Sequence, residues 1–180
     1  MQPVFTIGHS DRDPSEVIAM LRDAGVSRLA DVRAFPMSRS NPGFNEAALA
    51  PLLAAHGIEY RHLAALGGRR RRVKSIPPQV NALWRNASFH NYADHALTPA
   101  FRAGLDALLD WSARRRCAIM CSEAVWWRCH RRIVADWLIA AGREVWHIMA
   151  QGRLTAATPT PGAAIGPDGS VTYPAPPAAA

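Results

Sequence analysis

Lysine is almost missing from this sequence. Only Lys74 is a lysine among 21 basic residues, so the formal net charge of +7 comes from arginine. Arginine side chains pair with phosphate oxygens, and an excess of them is typical of proteins that bind nucleic acid or phosphate. Arginine in place of lysine, together with abundant alanine, equally fits coding bias in a GC-rich genome. The charge therefore leaves both explanations open.

Cysteine is rare, and long apolar runs are missing. The three cysteines, Cys117, Cys121 and Cys129, fall within one short segment. A small odd number of clustered cysteines suits a reducing compartment better than a disulfide framework. No apolar run approaches the roughly 18 residues of a membrane helix, and residues 1–15 lack the basic start and apolar centre of a signal peptide. We therefore expect a cytoplasmic protein without membrane partners.

Short apolar runs alternate with helical patterns along the chain. The runs predict five strands, at residues 3–8, 29–32, 58–63, 117–120 and 144–149. Asp13 followed by Pro14 is typical of a helix N-terminus, and so is Thr98 followed by Pro99. This alternation predicts a three-layer α/β fold, with a mainly parallel, five-stranded, Rossmann-like sheet and helices on both faces.

The domain organisation follows from changes in composition. Residues 1–152 are expected to form a single α/β domain. Within it, residues 69–97 lose regular periodicity, which predicts a long loop or lid with short helices. Residues 153–180 are mostly alanine, proline, glycine and threonine, and offer too little apolar surface to offset the entropy of ordering. We therefore expect a disordered Ala/Pro-rich tail at residues 153–180.

Polar side chains follow several of the predicted strands. His9 and Ser10 follow the first strand, Arg33 the second and His62 the third, and the fourth is followed by a segment that begins with Cys121. The carboxyl ends of parallel strands meet at one edge of a sheet, where open α/β folds bind their ligands. We expect these side chains to gather at that edge.

Nine short motifs occur in order along the chain. They are TIGHS at 6–10, DVR at 31–33, PMSR at 36–39, PGF at 42–44, YRHL at 60–63, LGG at 66–68, YAD at 92–94, MCSE at 120–123 and CHRR at 129–132. Together they resemble the bacterial domain of unknown function 488 family over residues 4–150. The resemblance implies a compact three-layer α/β domain but no established reaction. The positions to which it points are His9, Ser10, Asp31, Arg33, Ser38, Arg39, His62, Cys121, Glu123, Cys129, His130 and Arg131.

One hypothesis is a cysteine-centred enzyme. Cys121 would lie between a strand end and a helix N-terminus, where the helix dipole and nearby arginines favour the nucleophilic thiolate. His9 or His62 would act as the base, and Glu123 would orient it or act as an acid. The alternative is a buried structural cysteine, because free cysteine is among the most buried residue types.

A second hypothesis is a metal site. Cys121, Cys129 and His130 offer soft and imidazole ligands that suit zinc or iron. Their spacing matches no closed zinc motif, and residues 129 and 130 would point about 100° apart if both lay in one helix, which argues against a shared ion. The glycines lack the spacing of a dinucleotide fingerprint, so no dinucleotide cofactor is expected.

A third hypothesis is binding or processing of a nucleic acid or nucleotide. Arginines would contact phosphate, and aromatic side chains would stack on bases. The residues expected to contact the substrate are Ser10, Asp31, Arg33, Ser38, Arg39, Tyr92 and Arg131. The sequence thus favours a thiol-dependent or metal-dependent enzyme that acts on a phosphorylated or nucleic-acid-related substrate. A non-catalytic module that binds nucleic acid or another partner is the alternative.

Overall fold

A six-stranded sheet forms the centre of the computed structural model, which describes residues 1–176. The strands are β1 (Val4–Gly8), β2 (Arg28–Asp31), β3 (Glu59–His62), β4 (Cys117–Cys121), β5 (Val145–Ala150) and β6 (Arg153–Ala156). Their order across the sheet is β3-β2-β4-β1-β5-β6. Neighbouring strands are parallel throughout β3, β2, β4, β1 and β5, and only β6 is antiparallel to its neighbour β5. The mainly parallel α/β sheet is confirmed, and the predicted five strands are corrected to six.

Five helices connect the strands. They are α1 (Pro14–Asp23), α2 (Glu46–Ala55), α3 (Ala87–Ala96), α4 (Pro99–Trp111) and α5 (Arg131–Ala140). The side chain of Asp13 accepts a hydrogen bond from the backbone N of Ser15, and Thr98 does the same for Phe101. Both residues therefore cap helix N-termini, as their sequence context predicts.

Two buried apolar clusters lie against the sheet. Alternate strand residues supply both clusters, because successive side chains of a strand point to opposite faces. One cluster joins Phe5 and Met120 to α1 and α2, and the other joins Val4 and Ile119 to α3, α4 and α5. Helices thus pack against the sheet through both clusters. The finer description, a three-layer Rossmann-like fold, remains a prediction.

Residues 69–97 are only partly irregular. Residues 87–96 form α3, and its Tyr92, Ala93 and Ala96 are buried in the core. The expected long lid is therefore corrected: a helix in this segment packs into the domain. Tertiary burial of one face supplies the stability that a helix with few strong helix formers lacks.

The prediction of a disordered tail is also corrected, over the part of residues 153–180 that the structure describes. Residues 153–156 form β6 after a turn at Gly152, whose φ is 66°. Farther on, β7 (Ala164–Ile165) pairs with β8 (Val171–Thr172), and Tyr173 is fully buried. Tyr173 donates a hydrogen bond to Asp136 Oδ2 at 2.7 Å. Burial of this ring and its hydroxyl partner orders the segment, and residues 177–180 of the predicted tail lie outside the described residues.

None of the helices within residues 1–176 has both the length and the apolar character needed to cross a membrane.

Candidate functional site

Three strand ends meet where β4 ends. Gly8 is paired with Cys121, and Asp31 with Met120. The backbone N of His9 donates to Cys121 O at 3.0 Å, and that of Val32 donates to Met120 O at 2.9 Å. These bonds hold the segments after β1 and β2 against the end of β4.

The side chains of Cys121, Cys129 and His130 converge at this edge. The two sulfurs and one imidazole nitrogen lie within 4.8 Å of one another. His130 Nδ1 is 3.9 Å from Cys121 Sγ and 3.6 Å from Cys129 Sγ. Both cysteines are buried, while His130 is partly exposed. Two thiols and an imidazole can bind a soft or borderline metal ion, or can support thiol chemistry.

The backbone explains why Cys129 and His130 reach one point. Cys129 is extended, with φ −120° and ψ 148°, and α5 begins only after His130. The expectation that residues 129 and 130 would diverge assumed that both lay inside a helix. That expectation is wrong, because a change from extended to helical backbone separates the two residues.

The imidazole of His130 is held from two sides. Its Nε2 donates to Val32 O at 2.9 Å, and this bond directs Nδ1 at the two sulfurs. Gly68 packs against the ring, and a Cβ atom at position 68 would lie 2.8 Å from Nδ1. Tyr92, which donates to Leu66 O at 2.6 Å, places its ring 4.8 Å from the imidazole.

A buried arginine lies beside the cluster. Arg131 is 1% exposed, and its Nε donates to Cys129 Sγ at 3.3 Å. Its Nη2 donates to the backbone oxygen of Glu123. Within residues 1–176, no carboxylate forms an ion pair with Arg131. A buried guanidinium needs a counter-charge, and the thiolate of Cys129 supplies one.

The two thiols have opposite pKa shifts. Burial alone would raise the pKa of Cys129, but the hydrogen bond from Cys121 and the charge of Arg131 outweigh burial and lower it to about 6. The hydrogen bond that Cys121 donates to Cys129, together with burial, raises the pKa of Cys121 to about 12. The thiolate of this pair is therefore on Cys129, whereas the sequence pointed to Cys121.

The segment between β4 and α5 is packed tightly over the sheet. A Cβ atom at Gly8 would lie 1.9 Å from Glu123 O, so only glycine allows this segment to cross β1. Farther along, Trp126 stacks on His147 with ring centroids 4.3 Å apart. His147 in turn hydrogen-bonds to Thr6 at 2.8 Å. These contacts fix the segment that carries Cys129.

His9 is buried and neutral. Its Nδ1 donates to Ser10 O at 2.9 Å, its Nε2 faces Arg33 Nη1 at 3.5 Å, and its ring stacks on Phe44. Burial, with a smaller contribution from the charge of Arg33, lowers the pKa of His9 to about 4. His9 is therefore a weaker base than an ordinary histidine. Ser10 follows it with a φ of 49°, an uncommon value for a residue other than glycine.

Asp31 and Arg33 form a buried ion pair. Arg33 Nε lies 2.9 Å and 3.0 Å from the two carboxylate oxygens of Asp31, and Tyr60 donates to Asp31 Oδ2 at 2.8 Å. Arg33 Nη2 also donates to Phe44 O, which leaves Nη1 directed at His9. His62 Nε2 lies 2.9 Å from Arg33 O. Asp31 and His62 thus hold Arg33 in place through hydrogen bonds to its side chain and its backbone oxygen.

The cluster opens into two cavities. One, of about 390 Å³, contains Cys121 and His130 in its wall together with His9, Arg33, Ser38, Ser40, Ser122 and Arg69. The other, of about 270 Å³, contains the whole cluster with Tyr92, Glu123, Arg69 and Arg128. A third cavity, of about 620 Å³, is lined by Ser10, Glu123 and the acidic residues Asp11 and Asp13. The cluster therefore lies between two cavities that share an arginine.

The predicted site residues differ in their access to these cavities. His9, Arg33, Ser38 and Cys121 line the cavity of 390 Å³, whereas Ser10 lines the one of 620 Å³. Cys129, His130, Glu123 and Tyr92 line the cavity of 270 Å³. Residues not found in the walls of these three cavities are Asp31, Arg39, His62 and Arg131.

Sequence reasoning missed two contributors to the site: Gly68 packs on His130, and Val32 supplies the carbonyl oxygen that accepts from its Nε2. Arg69 and Arg128 were among the arginines expected to contact phosphate or to favour a thiolate, and both line the cavity of 270 Å³. Gly68 lies in the LGG motif and Val32 in the DVR motif, but the motifs did not reveal which side chain these two residues would contact.

Comparison with known families places the chain in one of them. The family model "Domain of unknown function DUF488" matches residues 13–138. The chain belongs to this family. The DUF488 match covers β2, β3, β4, the cluster and most of α5. No curated protein and no solved structure gives a significant match to the chain.

Proposed function

We propose that the chain is a metal-dependent enzyme in which Cys121, Cys129 and His130 hold one zinc or iron ion. The observation that carries the proposal is the convergence of their three ligand atoms within 4.8 Å. Three protein ligands and one open position are typical of catalytic zinc sites, whereas structural sites close all four positions.

The distances fit a tetrahedral ion. With Zn–S of about 2.3 Å and Zn–N of about 2.05 Å, tetrahedral angles separate N and S by about 3.6 Å. The distances from His130 Nδ1 are 3.6 Å to Cys129 Sγ and 3.9 Å to Cys121 Sγ. Both nitrogen–sulfur distances thus lie within about 0.3 Å of the tetrahedral value, whereas the two sulfurs, which lie within 4.8 Å of each other, would have to lie about 3.8 Å apart around an ion.

The surroundings of the ligands support the same function. Nε2 of His130 is held by Val32 O, and such a hydrogen bond orients metal-binding histidines and fixes their tautomer. Arg131 stabilises the thiolate of Cys129, which is the form that binds a metal. Both features prepare the ligands before an ion arrives.

The cavities beside the cluster favour an anionic substrate. Arg69 lines both cavities, Arg128 lines the one of 270 Å³, and Arg33 lines the one of 390 Å³. A phosphate bound by these arginines would bring the rest of the substrate to the open position of the ion. An ion held by Cys121, Cys129 and His130 would act as a Lewis acid or would activate a bound water molecule. We therefore propose a phosphorylated or nucleic-acid-related substrate.

Glu123 is the proposed acid or base of the reaction. It lines the cavity of 270 Å³ with the cluster, and its backbone oxygen is fixed by Arg131. Its side chain is exposed. His9, one of the two bases expected from sequence, lines the cavity of 390 Å³ and not the one that contains the whole cluster. The two thiols must stay reduced to bind an ion, so the proposal includes a reducing, cytoplasmic location.

Cobalt substitution tests the metal site. Co²⁺ added to the metal-free full-length chain should give the intense charge-transfer absorption of a cobalt–thiolate centre, with a one-to-one end point. Cys129→Ser and His130→Gln should weaken or remove this signal, while Cys117→Ala, which changes the cysteine in the core of β4, should keep it. A wild-type chain without the signal would overturn the metal proposal.

A second candidate is a thiol-dependent enzyme with Cys129 as nucleophile. The lowered pKa of Cys129 and its contact with Arg131 favour it. Alkylation of a metal-free chain by iodoacetamide distinguishes the candidates when it is repeated with Zn²⁺. The metal proposal predicts that Zn²⁺ protects both Cys121 and Cys129, whereas a free nucleophile would react equally fast in either sample.

A further inference from the structure

We infer that Cys121 and Cys129 are a site of reversible oxidation, at which a hydroperoxide converts the two thiols into a disulfide. This inference goes beyond the proposed function and does not require a bound metal. It rests on the spacing of the two sulfurs, on the position of the third cysteine and on the access of a small oxidant to the cluster.

The two sulfurs face each other across a short gap. They lie within 4.8 Å, and both contact the same nitrogen of His130. Cys121 is the last residue of β4, and Cys129 follows a short 3-10 turn at Trp126–Arg128. Because Cys129 lies outside regular secondary structure, its sulfur can move toward Cys121 without breaking the sheet.

The third cysteine is excluded from the pair. Cys117 lies in β4 four residues before Cys121, so the two are about 13 Å apart along the strand at about 3.3 Å per residue. That distance is too long for a disulfide, whose Cα atoms lie about 4.4–6.8 Å apart. Cys117 is also fully buried in the core, whereas Cys121 lines two cavities.

A small hydroperoxide can reach the cluster through these cavities. Cys129 and Cys121 both line the cavity of 270 Å³, where Arg69 and Arg128 supply positive charge. Arg131 Nε donates to Cys129 Sγ at 3.3 Å, which stabilises negative charge on that sulfur. Thiolates in such surroundings are the cysteines that peroxides oxidise first.

The reaction takes two steps and transfers two electrons to the peroxide. First, the thiolate of Cys129 attacks the hydroperoxide: an S–O bond forms, the O–O bond breaks, and the departing alkoxide or hydroxide takes a proton from solvent. Cys129 is then a sulfenic acid. Second, Cys121 Sγ attacks this sulfur: an S–S bond forms, the S–O bond breaks, and the leaving hydroxide departs as water with the Cys121 proton. A dithiol reductant reverses the change by thiol–disulfide exchange.

The disulfide would also control the metal site, a consequence that depends on the proposed function. It would remove two of the three ligands, because disulfide sulfurs no longer carry the thiolate charge that binds the ion. It would also remove the anionic partner of the buried Arg131. Oxidation should therefore release a bound ion, and a bound ion should slow oxidation.

Hydrogen peroxide added to the purified full-length chain tests the inference. After treatment and denaturation, the free thiols should fall from the three of the reduced chain to one, and peptide mapping should link Cys121 to Cys129. Dithiothreitol should restore all of them. Cys121→Ser should stop at a sulfenic acid on Cys129 that dimedone traps, and Cys117→Ala should form the same disulfide as the wild type.

Three results would overturn the inference: a full set of unreacted thiols, a disulfide that contains Cys117, or direct oxidation of Cys129 to the sulfinic acid while Cys121 stays free. The test separates the inference from the metal proposal because it is run on metal-free and Zn²⁺-loaded samples. Disulfide formation in the metal-free chain without any Zn²⁺ binding would support the oxidation site and contradict only the metal proposal.

Discussion

Arg131 Nε donates a hydrogen bond to Cys129 Sγ at 3.3 Å, and this guanidinium forms no ion pair with a carboxylate of residues 1–176. The positive charge and the sulfur are both buried, so the guanidinium favours the thiolate form of Cys129. The site therefore contains a thiolate before any ligand arrives.

Removal of Arg131 should raise the pKa of Cys129. In the metal-free chain, we expect alkylation of Cys129 to have its pH midpoint near the wild-type pKa of about 6. In Arg131→Ala, the midpoint should move up by more than one pH unit, because burial then opposes the thiolate without compensation. Peptide mass mapping of iodoacetamide adducts across a pH series measures both midpoints.

Two variants make this test specific. Arg131→Lys keeps the charge and should shift the midpoint less than alanine does. Arg132→Ala removes the neighbouring arginine, which contacts Thr160 and Trp84, and should leave the midpoint unchanged. An unchanged midpoint in a folded Arg131→Ala chain would show that Arg131 does not stabilise the thiolate.

Acid should destabilise the fold through its buried histidines, His9 and His147 above all. Burial lowers the pKa of His9 and of His147 to about 4, with smaller contributions from the nearby arginines. The unfolded chain binds protons on these side chains below about pH 6.5, whereas the folded chain does not. The free energy of unfolding should therefore fall as the pH drops from about 6.5 to about 4, by at most roughly 3 kcal/mol per histidine.

Chemical denaturation at several pH values measures this slope. His147→Gln removes one titrating group. The free energy of unfolding of this variant should therefore depend less steeply on pH in this range, because unfolding takes up one proton fewer. His56→Gln, at an exposed position after α2, is the matched control. Equal slopes in wild type and in His147→Gln would contradict the assignment of His147 as a buried neutral histidine.

A methyl group at position 68 should disturb the cluster directly. The Cβ atom of Gly68→Ala would lie 2.8 Å from His130 Nδ1, so the imidazole must leave its present place beside the two sulfurs. We expect the affinity for Zn²⁺ to fall about 10–100-fold, the range seen when groups that orient metal ligands are changed. Competition with a chromophoric chelator measures the affinity. Gly152→Ala is the control: it strains a turn, because Gly152 has a φ of 66°, but its methyl group meets no atom within 4 Å. This control should keep wild-type affinity, and a similar affinity in Gly68→Ala would argue against the site.

The centre of the sheet was predictable because β1 and β4 are short, mainly apolar runs that are fully buried, and β2 is nearly so. The predicted positions of β1 to β5 differ from the observed ones by a residue or two. The sixth strand was missed because β6 is only four residues long and is exposed along its whole length. β6 forms because the turn at Gly152 brings it to the edge of β5, and this contact cannot be predicted from the residues of β6 alone.

The candidate site was only partly predictable for a related reason. Motifs after the strands pointed to Cys121, Cys129 and His130, but the spacing of residues 129 and 130 was read as helical. The helix begins one residue later than His130, and this small difference decides whether the two side chains converge. Likewise, Asp31 was expected to contact substrate, but its carboxylate is taken up by Arg33 and Tyr60.

Arg69 should bind the anionic part of a ligand. Arg69 lines both cavities next to the cluster. Arg69→Ala should therefore remove one charge-assisted hydrogen bond to the ligand, whichever of the two cavities the ligand occupies. Affinity for a mixed-sequence single-stranded oligonucleotide or for a nucleoside monophosphate should fall about tenfold, and wild-type affinity should weaken with added salt. Fluorescence anisotropy and calorimetry measure the two ligands.

The matched control for this test is Arg114→Ala. Arg114 is exposed just before β4, at the opposite end of that strand from the cluster. Its removal changes the net charge by the same amount as Arg69→Ala does. Equal losses of affinity in both variants would show a general effect of charge and would count against an anion site in the cavities.

The metal content of the purified chain tests whether Cys121, Cys129 and His130 hold a zinc or iron ion. Inductively coupled plasma mass spectrometry should be applied to the full-length chain purified without a histidine tag, beside Cys121→Ser, Cys129→Ser, His130→Gln and Cys117→Ala. We predict close to one zinc or iron ion per chain in wild type and in Cys117→Ala, and a large loss of bound metal in the three ligand variants. A wild-type chain that stays metal-free even after incubation with Zn²⁺ and Fe²⁺ under reducing conditions, or ligand variants that keep the full metal content, would contradict it.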